Sequence, residues 1–201
     1  MINQRKNFVK PDWLIITIYI LLAGFGIGNI LSSSISGEEI SLFQFDNLYS
    51  KQLVFFMISL LFAFLVMTIE VKFYERFASI FYLISIVILL GLFVFGKRVN
   101  GALSWYDLGG FNLQPSEFVK ITVALAISKY ISDFQTNLKK TIDQFWLFLI
   151  ILIPVVIIIL QNDTGSSIVF FCLFIVFYRE GISQKYLLSI LAISILAVFT
   201  L

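Results

Sequence analysis

The sequence contains no histidine, a single cysteine and three prolines, and only 13% of its residues are charged. Without histidine, neither an imidazole base nor a histidine-ligated metal site can form. The single cysteine, Cys172, cannot make a disulfide within the chain. A soluble domain carries charge on about a quarter of its residues, so this scarcity excludes an ordinary soluble domain. We also expect no nucleic-acid partner.

Hydrophobic residues make up 60% of the sequence, and they lie in long runs rather than at the spacing of an amphipathic helix. A run of about 20 apolar residues is long enough for a helix to cross the hydrocarbon core of a bilayer. The sequence therefore predicts an integral membrane protein of the all-α class, folded as a polytopic helical bundle. We expect residues 1–201 to belong to one membrane domain.

Six membrane spans and the start of a seventh can be placed on the apolar runs. The predicted spans are Trp13–Leu31, Leu53–Ile69, Ala78–Phe95, Pro115–Ile131, Phe145–Leu160, Ser166–Tyr178 and a last one that begins at Tyr186. The last run is still apolar at Leu201, so we expect this chain to be the N-terminal part of a larger bundle.

The distribution of basic residues predicts the orientation, because cytoplasmic loops are enriched in lysine and arginine. With the N-terminus in the cytoplasm, the inner segments hold Arg5, Lys6, Lys10, Lys72, Arg76, Lys129, Lys139, Lys140, Arg179 and Lys185. The outer segments then hold only Lys51, Lys97 and Arg98. We therefore predict a cytoplasmic N-terminus and an outer location for the loop 96–114.

The most informative segment is the polar, glycine-rich stretch 100–120, which runs directly into the fourth predicted span. Glu117 and Lys120 lie three residues apart, so a helix would bring both side chains to one face. Ionisable side chains are costly inside a bilayer, and they are a functional-site hypothesis by default. The spacing alone fits a structural ion pair and a substrate-binding pair equally well.

Three other features each allow a structural and a functional interpretation. Lys97 and Arg98 lie on the predicted outer side, and they fit either isolated loop charges or contacts to phosphate oxygens. Trp105 fits either an interfacial aromatic residue or a flat platform for a sugar ring. Asp163 lies in the tight turn before the sixth span, where it fits an N-cap or a group that orients a lysine or a bound ion.

The glycine-rich stretch resembles the SEDS family, the shape, elongation, division and sporulation proteins that include RodA and FtsW. The family's N-G-A-x-x-W pattern matches residues 100–105, and its Q-P-S-E-x-x-K pattern matches residues 114–120. A third family pattern, P-D-x-G, matches Asp163 and Gly165, with Asn162 in place of the proline.

The resemblance implies a function at the bacterial cytoplasmic (inner) membrane. SEDS proteins are peptidoglycan glycosyltransferases that polymerise lipid II, a disaccharide-pentapeptide carried on undecaprenyl pyrophosphate. The resemblance also implies a class B penicillin-binding protein as partner, together with contacts to membrane lipid. A role in cell-wall elongation and cell shape is favoured over a role in cell division, on general likeness alone.

The resemblance further implies which residues bind substrate. The implied substrate-binding residues are Lys97, Arg98, Asn100, Trp105, Glu117, Lys120 and Asp163. The family's presumed catalytic aspartate is expected beyond Leu201, so we expect this chain alone not to polymerise lipid II. No cofactor and no protein metal ligands are predicted, although pyrophosphate chemistry leaves a divalent cation open.

Two other functions fit the same features. A flippase or transporter for a lipid-linked precursor would also need a charged cavity inside an apolar bundle. A non-catalytic scaffold could instead bind a transpeptidase through its membrane helices. The sequence does not separate these alternatives from the glycosyltransferase.

Overall fold

The computed structural model describes residues 12–34, 48–109, 111–133 and 140–179. In these ranges the protein is mostly helical, as predicted. The helices are α1 (Trp13–Ser34), α2 (Leu48–Thr68), α3 (Val71–Phe95), α4 (Pro115–Asp133), α5 (Thr141–Leu160), α6 (Thr164–Val169) and α7 (Leu173–Arg179). The strands are β1 (Lys97–Val99), β2 (Ala102–Asp107) and β3 (Asn112–Leu113).

Four of the described helices, α1, α2, α3 and α5, are long and apolar enough to cross a membrane. They identify the chain as an integral membrane protein. Helix α4 has 19 residues but carries Glu117, Lys120 and Lys129, and it is not among these four. The total of six spans remains a prediction, and the seventh span predicted from Tyr186 lies outside the described residues.

Several helices begin earlier than their apolar runs. Helix α3 begins at Val71 rather than Ala78, and its first turns carry Lys72 and Arg76. A helix can continue past the hydrocarbon region because its backbone hydrogen bonds do not depend on which side chains it carries. The sixth predicted span corresponds to α6 and α7, which a 3-10 turn at Phe170–Cys172 joins into one apolar helical stretch, Thr164–Phe177.

The all-α prediction needs one correction, because the glycine-rich loop forms a small antiparallel sheet. The strand order is β1-β2-β3, and Val99 pairs with Ala102 across a two-residue turn. Asn100 and Gly101 occupy that turn with φ of 51° and 87°. Positive φ at both positions is characteristic of a type I′ hairpin, for which Asn-Gly is the preferred sequence. The Asn-Gly dipeptide therefore indicates this hairpin from the sequence, whereas the apolar runs that place the spans do not.

The chain divides into two compact units between Ile69 and Glu70. In the first unit α1 packs against α2, and the rings of Tyr19 and Phe56 stack with centroids 6.4 Å apart. In the second unit α4 packs most extensively against α3, and α5 contacts both. The buried core of this second unit comprises Leu89, Leu92, Val119, Val123, Ile127, Leu147, Ile151, Val155, Ile157, Ile158, Phe170, Phe174 and Phe177.

The sheet is attached to α3 through a tyrosine on β2. The hydroxyl of Tyr106 donates a hydrogen bond to the carbonyl of Ile88 at 2.7 Å. Gly91 lies beneath this tyrosine, and a methyl group there would approach the Tyr106 oxygen to 2.5 Å. A side chain at position 91 would therefore fit only if the Tyr106 hydroxyl shifted from its place against α3. Burial of the Tyr106 hydroxyl also raises its pKa above the usual value.

A three-residue turn follows α5 and brings polar groups back into the core. The backbone amides of Gln161 and Asn162 donate to carbonyls of the last turn of α5, Asn162 to that of Ile159 at 2.9 Å. Asn162 has a φ of 59°, which lies in the left-handed region that asparagine tolerates. Proline cannot adopt this φ, so the turn differs in conformation from any that a proline at this position would form.

We predict that Asn162→Pro destabilises the protein by more than about 1 kcal/mol, because it enforces a negative φ and removes the bond to Ile159. Thermal unfolding in detergent micelles measures this loss. The control is Asn162→Gly, which adopts a positive φ freely and should stay within about 1 kcal/mol of the parent. A proline variant as stable as the parent would show that the turn has another conformation.

A second prediction concerns Gly91. Gly91→Ala should lower the free energy of unfolding by roughly 1–3 kcal/mol, because the new methyl group overpacks against Tyr106. Adding Tyr106→Phe should recover part of this loss by removing the crowded oxygen. The control is Gly28→Ala in α1, where the methyl group meets no atom of the described residues within 4 Å. Equal melting temperatures for the two alanine variants would contradict the close approach.

Candidate functional site

Glu117 and Lys120 form an ion pair on the first turns of α4. The ammonium Nζ of Lys120 donates to Oε1 of Glu117 at 2.8 Å, which confirms that the two side chains reach each other. The Lys120 side chain is 24% exposed and that of Glu117 is 57% exposed. Within the part of the chain that the structure describes, the carboxylate is therefore open to a ligand rather than sealed by packing. Pairing also reduces the cost of holding a charged lysine in an apolar bundle.

Lys97 forms a second ion pair within the sheet. Its ammonium donates to Oδ2 of Asp107 at 2.7 Å, and the amide of Gly109 donates to Oδ1 at 3.1 Å. The hydrogen bond from Lys97 lowers the pKa of Asp107, with the Gly109 amide and the lysine charge adding to it. Because the folded pKa is depressed, this contribution to stability is present at neutral pH and is lost as pH falls through the lowered pKa.

The other sheet residues from the sequence analysis lie around this pair. Trp105 is half-buried on β2 and is the register partner of Lys97. Arg98 is exposed, and its side chain has no hydrogen bond or ion pair with any residue that the structure describes. Asn100 is exposed in the hairpin turn, so its backbone conformation has a structural reason independent of any ligand.

Asp163 is buried and caps helix α6, which confirms the structural interpretation of this residue. Its Oδ1 accepts from the amide of Ser166 at 3.1 Å. Its Oδ2 accepts from the Ser166 hydroxyl at 2.9 Å and from Nε2 of Gln114 at 3.1 Å. Both carboxylate oxygens therefore have donors inside the protein. Gln114 links this turn to the start of α4.

An apolar groove opens beside the first turn of α4. It has a volume of about 210 Å³ and is lined by Ser85, Ile88, Leu113, Pro115 and Phe118. Phe118 follows Glu117 directly, so the groove and the ion pair share one turn of helix. An apolar groove next to a charged pair suits a ligand with an apolar chain and a polar head.

The sheet and the ion pair are close neighbours in the chain. Strand β3 ends at Leu113 and α4 begins at Pro115, so Gln114 alone separates them. Strand β2 also packs against α3 and α4. Among the described residues, no three or more carboxylate or thiol side chains lie close enough together to hold a metal ion.

Sequence reasoning missed two residues that shape this region, Asp107 and Gln161. Asp107 pairs with Lys97 across a hairpin that was not expected, although the Asn-Gly turn could have revealed it. Gln161 is buried and bonds to the carbonyl of Leu89 on α3 at 2.8 Å. The only sequence signal for Gln161 was its place beside the turn at Asp163.

The chain is similar to proteins named as probable peptidoglycan glycosyltransferase FtsW. It is 30% identical over 210 residues to the one from Wigglesworthia glossinidia brevipalpis, covering 98% of this chain and 54% of the relative. It is 26% identical over 183 residues to the one from Haemophilus influenzae, covering 84% of this chain and 46% of the relative. The chain thus spans about half the length of these curated relatives.

The fold of this chain is also similar to the folds of two solved structures. The crystal structure of the rod shape determining protein RodA from Thermus thermophilus superposes with a TM-score of 0.80 at 26% identity, covering 95% of this chain and 60% of RodA. A structure described as a peptidoglycan synthase complex coordinating polymerization and crosslinking gives a TM-score of 0.81 at 26% identity, covering 96% of this chain and 55% of that chain.

The similar proteins include both FtsW and RodA, so they do not show which of the two this chain is more like. The family model shared by FtsW, RodA and SpoVE, described as cell cycle protein, matches residues 12–201. That match covers nearly the whole sequence, including the motif loop and the ion pair on α4. The chain therefore belongs to the FtsW, RodA and SpoVE family of cell cycle proteins, the SEDS family.

Proposed function

We propose that this chain has the function of a peptidoglycan glycosyltransferase. It would bind lipid II at the outer face of the bacterial cytoplasmic membrane. The observation that carries the proposal is the accessible Glu117–Lys120 pair at the start of α4. Its relatives' names support glycosyl transfer as the reaction. Lipid II is the substrate that the SEDS resemblance implies.

The ion pair suits the leaving group of this reaction. In glycosyl transfer the acceptor hydroxyl forms a bond to the donor sugar carbon while the bond from that carbon to the pyrophosphate oxygen breaks. The pyrophosphate leaves with the electron pair, so a positive charge near it stabilises the transition state. Lys120 would supply this charge, and Glu117 would hold the lysine in place before the substrate arrives. A base must also take the proton of the acceptor hydroxyl, and none of the residues proposed here is assigned to that step.

The sheet would hold the polar head of the substrate. Arg98 is exposed, and a guanidinium can contact phosphate oxygens in a bidentate fork. Lys97 could shift from Asp107 to an anionic ligand, because their exposed ion pair contributes little stability. Trp105 offers a flat indole face to a sugar ring, and Asn100 would contact the headgroup from the hairpin turn. The oxygens of Asp163 already accept hydrogen bonds inside the protein, so Asp163 would not contact the substrate directly. It would instead hold Gln114 in place at the start of α4.

The apolar groove beside Phe118 would accept part of the undecaprenyl chain. Its lining is apolar apart from Ser85, and Phe118 in that lining directly follows Glu117 in the chain. A lipid-linked pyrophosphate likewise joins an apolar chain to a charged head. The groove therefore favours a lipid-linked substrate over a soluble nucleotide sugar.

The cellular role follows from the family and remains part of the proposal. We propose a multi-pass protein of the inner membrane with a cytoplasmic N-terminus, which works in cell-wall elongation with a class B penicillin-binding protein. The similar structure of a peptidoglycan synthase complex supports a partner that crosslinks the glycan. Co-purification of the chain with the transpeptidase of elongation or with that of division tests the role. Retention of the elongation transpeptidase is expected, and retention of the division transpeptidase alone would assign the chain to division.

We predict that Glu117→Gln and Lys120→Met each weaken lipid II binding at least about tenfold, the loss of one charge-assisted contact. Binding is measured with the purified gene product in nanodiscs and fluorescent lipid II. Lys120→Met should change stability by less than about 1 kcal/mol, because it leaves only the exposed Glu117 carboxylate unpaired. Glu117→Gln should cost more, because it leaves the 24% exposed lysine without its counter-charge. The control is Lys129→Met on the same helix, whose ammonium donates to the carbonyl of Arg76 at 3.1 Å.

The same proteins distinguish the alternatives in reconstituted vesicles. Binding of lipid II without translocation is expected for the glycosyltransferase, since this chain alone is not expected to polymerise it, whereas translocation of lipid II would favour a flippase. A Glu117→Gln protein that keeps cell shape while its contact with the transpeptidase stays essential would favour a scaffold. If both α4 variants bind lipid II as tightly as Lys129→Met, the proposed site is wrong.

A further inference from the structure

The turn after α5 contains a polar side chain that is almost completely buried. Gln161 is 2% exposed. Its side-chain Nε2 donates to the carbonyl of Leu89 on α3, and its main-chain carbonyl accepts from the amide of Leu103 on β2, both at 2.8 Å. A buried amide is costly unless it is hydrogen-bonded, so these bonds favour one arrangement of the three elements. Gln161 therefore joins the end of α5 to both α3 and the sheet.

The other end of the same turn holds the start of α4. Oδ2 of Asp163 accepts from Nε2 of Gln114 at 3.1 Å, and Gln114 immediately precedes α4. The Gln114 amide also lies 3.2 Å from the hydroxyl of Ser166. One short turn thus contacts β2 through its first residue and the beginning of α4 through its last.

We propose that Gln161 is a positioning residue that fixes the sheet, with Trp105, relative to the Glu117–Lys120 pair on α4. This inference rests on the proposed function, because it assumes that the sheet and the start of α4 both belong to the lipid II site. The first residue of the turn contacts the sheet, and the last contacts the residue before α4. Gln161 is buried, so it acts through Leu103 and Leu89 and does not touch the substrate. Small displacements between groups that bind one ligand can cost large factors in affinity or rate.

The experiment uses Gln161→Met, which nearly preserves the volume of the side chain but cannot donate to Leu89. The main-chain bond from Leu103 is unaffected by the change. The control is Tyr82→Phe, which removes a bond of the same class, from the Tyr82 hydroxyl to the carbonyl of Ile150 at 3.1 Å. That bond joins α3 to α5 without contacting the sheet, so it reports the general effect of losing one such bond.

Trp105 provides a readout that does not depend on substrate. Trp13→Phe and Trp146→Phe leave Trp105 as the single tryptophan of the chain. In this background Gln161→Met should shift the Trp105 emission and its accessibility to a soluble quencher. Tyr82→Phe should leave both unchanged, even where it lowers the melting temperature by the same amount.

Lipid II binding in nanodiscs is the second readout. Gln161→Met should weaken binding about tenfold, as expected for losing a buried hydrogen bond that orders the site, whereas Tyr82→Phe should change it less than about twofold. The milder variant Gln161→Asn keeps the amide but shortens it by one methylene, and it should give intermediate effects. It serves as the test if the methionine variant does not fold.

The two readouts separate failure of this inference from failure of the proposed function. If the parent protein does not bind lipid II, the proposed function is wrong, and Trp105 emission still decides whether Gln161 positions the sheet. If the parent binds lipid II but the Gln161 variants match Tyr82→Phe in emission and affinity, the positioning role is overturned.

Discussion

The buried amide of Gln161 is the contact on which the sheet end of the second unit depends. In an apolar bundle an unpaired amide is costly, so its side-chain bond to the carbonyl of Leu89 is hard to exchange for water, and the main-chain carbonyl of the same residue accepts from Leu103 on β2. With those bonds in place, β2 lies against α3, and Tyr106 completes the contact through Ile88. The loop that carries the family motif is therefore a hydrogen-bonded platform attached to the bundle.

The accessible polar groups near this platform are the ones that packing explains least. Asp163 and Gln161 have their hydrogen bonds inside the protein, so they support the structure. Glu117 is more than half exposed on a helix that enters an apolar bundle, and Arg98 is exposed on β1. A protein that needed only stability would gain little from these two charges. Arg98 could bind an anionic head directly, whereas the Glu117 carboxylate holds Lys120, whose positive charge could do the same.

Helices and local spacing could be predicted, whereas contacts between distant segments could not. Apolar runs gave the helices because a bilayer requires both length and hydrophobicity, and the Glu117–Lys120 pair follows from the helix repeat. The Asn-Gly turn at Asn100 predicts a hairpin, but the many glycines of this segment favoured an irregular loop instead. The bond from Gln161 to Leu89 joins residues 72 positions apart, and no periodicity or motif encodes such a pairing.

Photocrosslinking would test the central claim most directly, that the sheet and the first turns of α4 bind the pyrophosphate end of lipid II. A lipid II analogue carrying a diazirine beside the pyrophosphate would be irradiated with the protein in nanodiscs, and the adducts mapped by mass spectrometry. Adducts on residues 97–107 and on the first turns of α4 are predicted. Adducts concentrated at the opposite end of α4, near Lys129, would contradict the account.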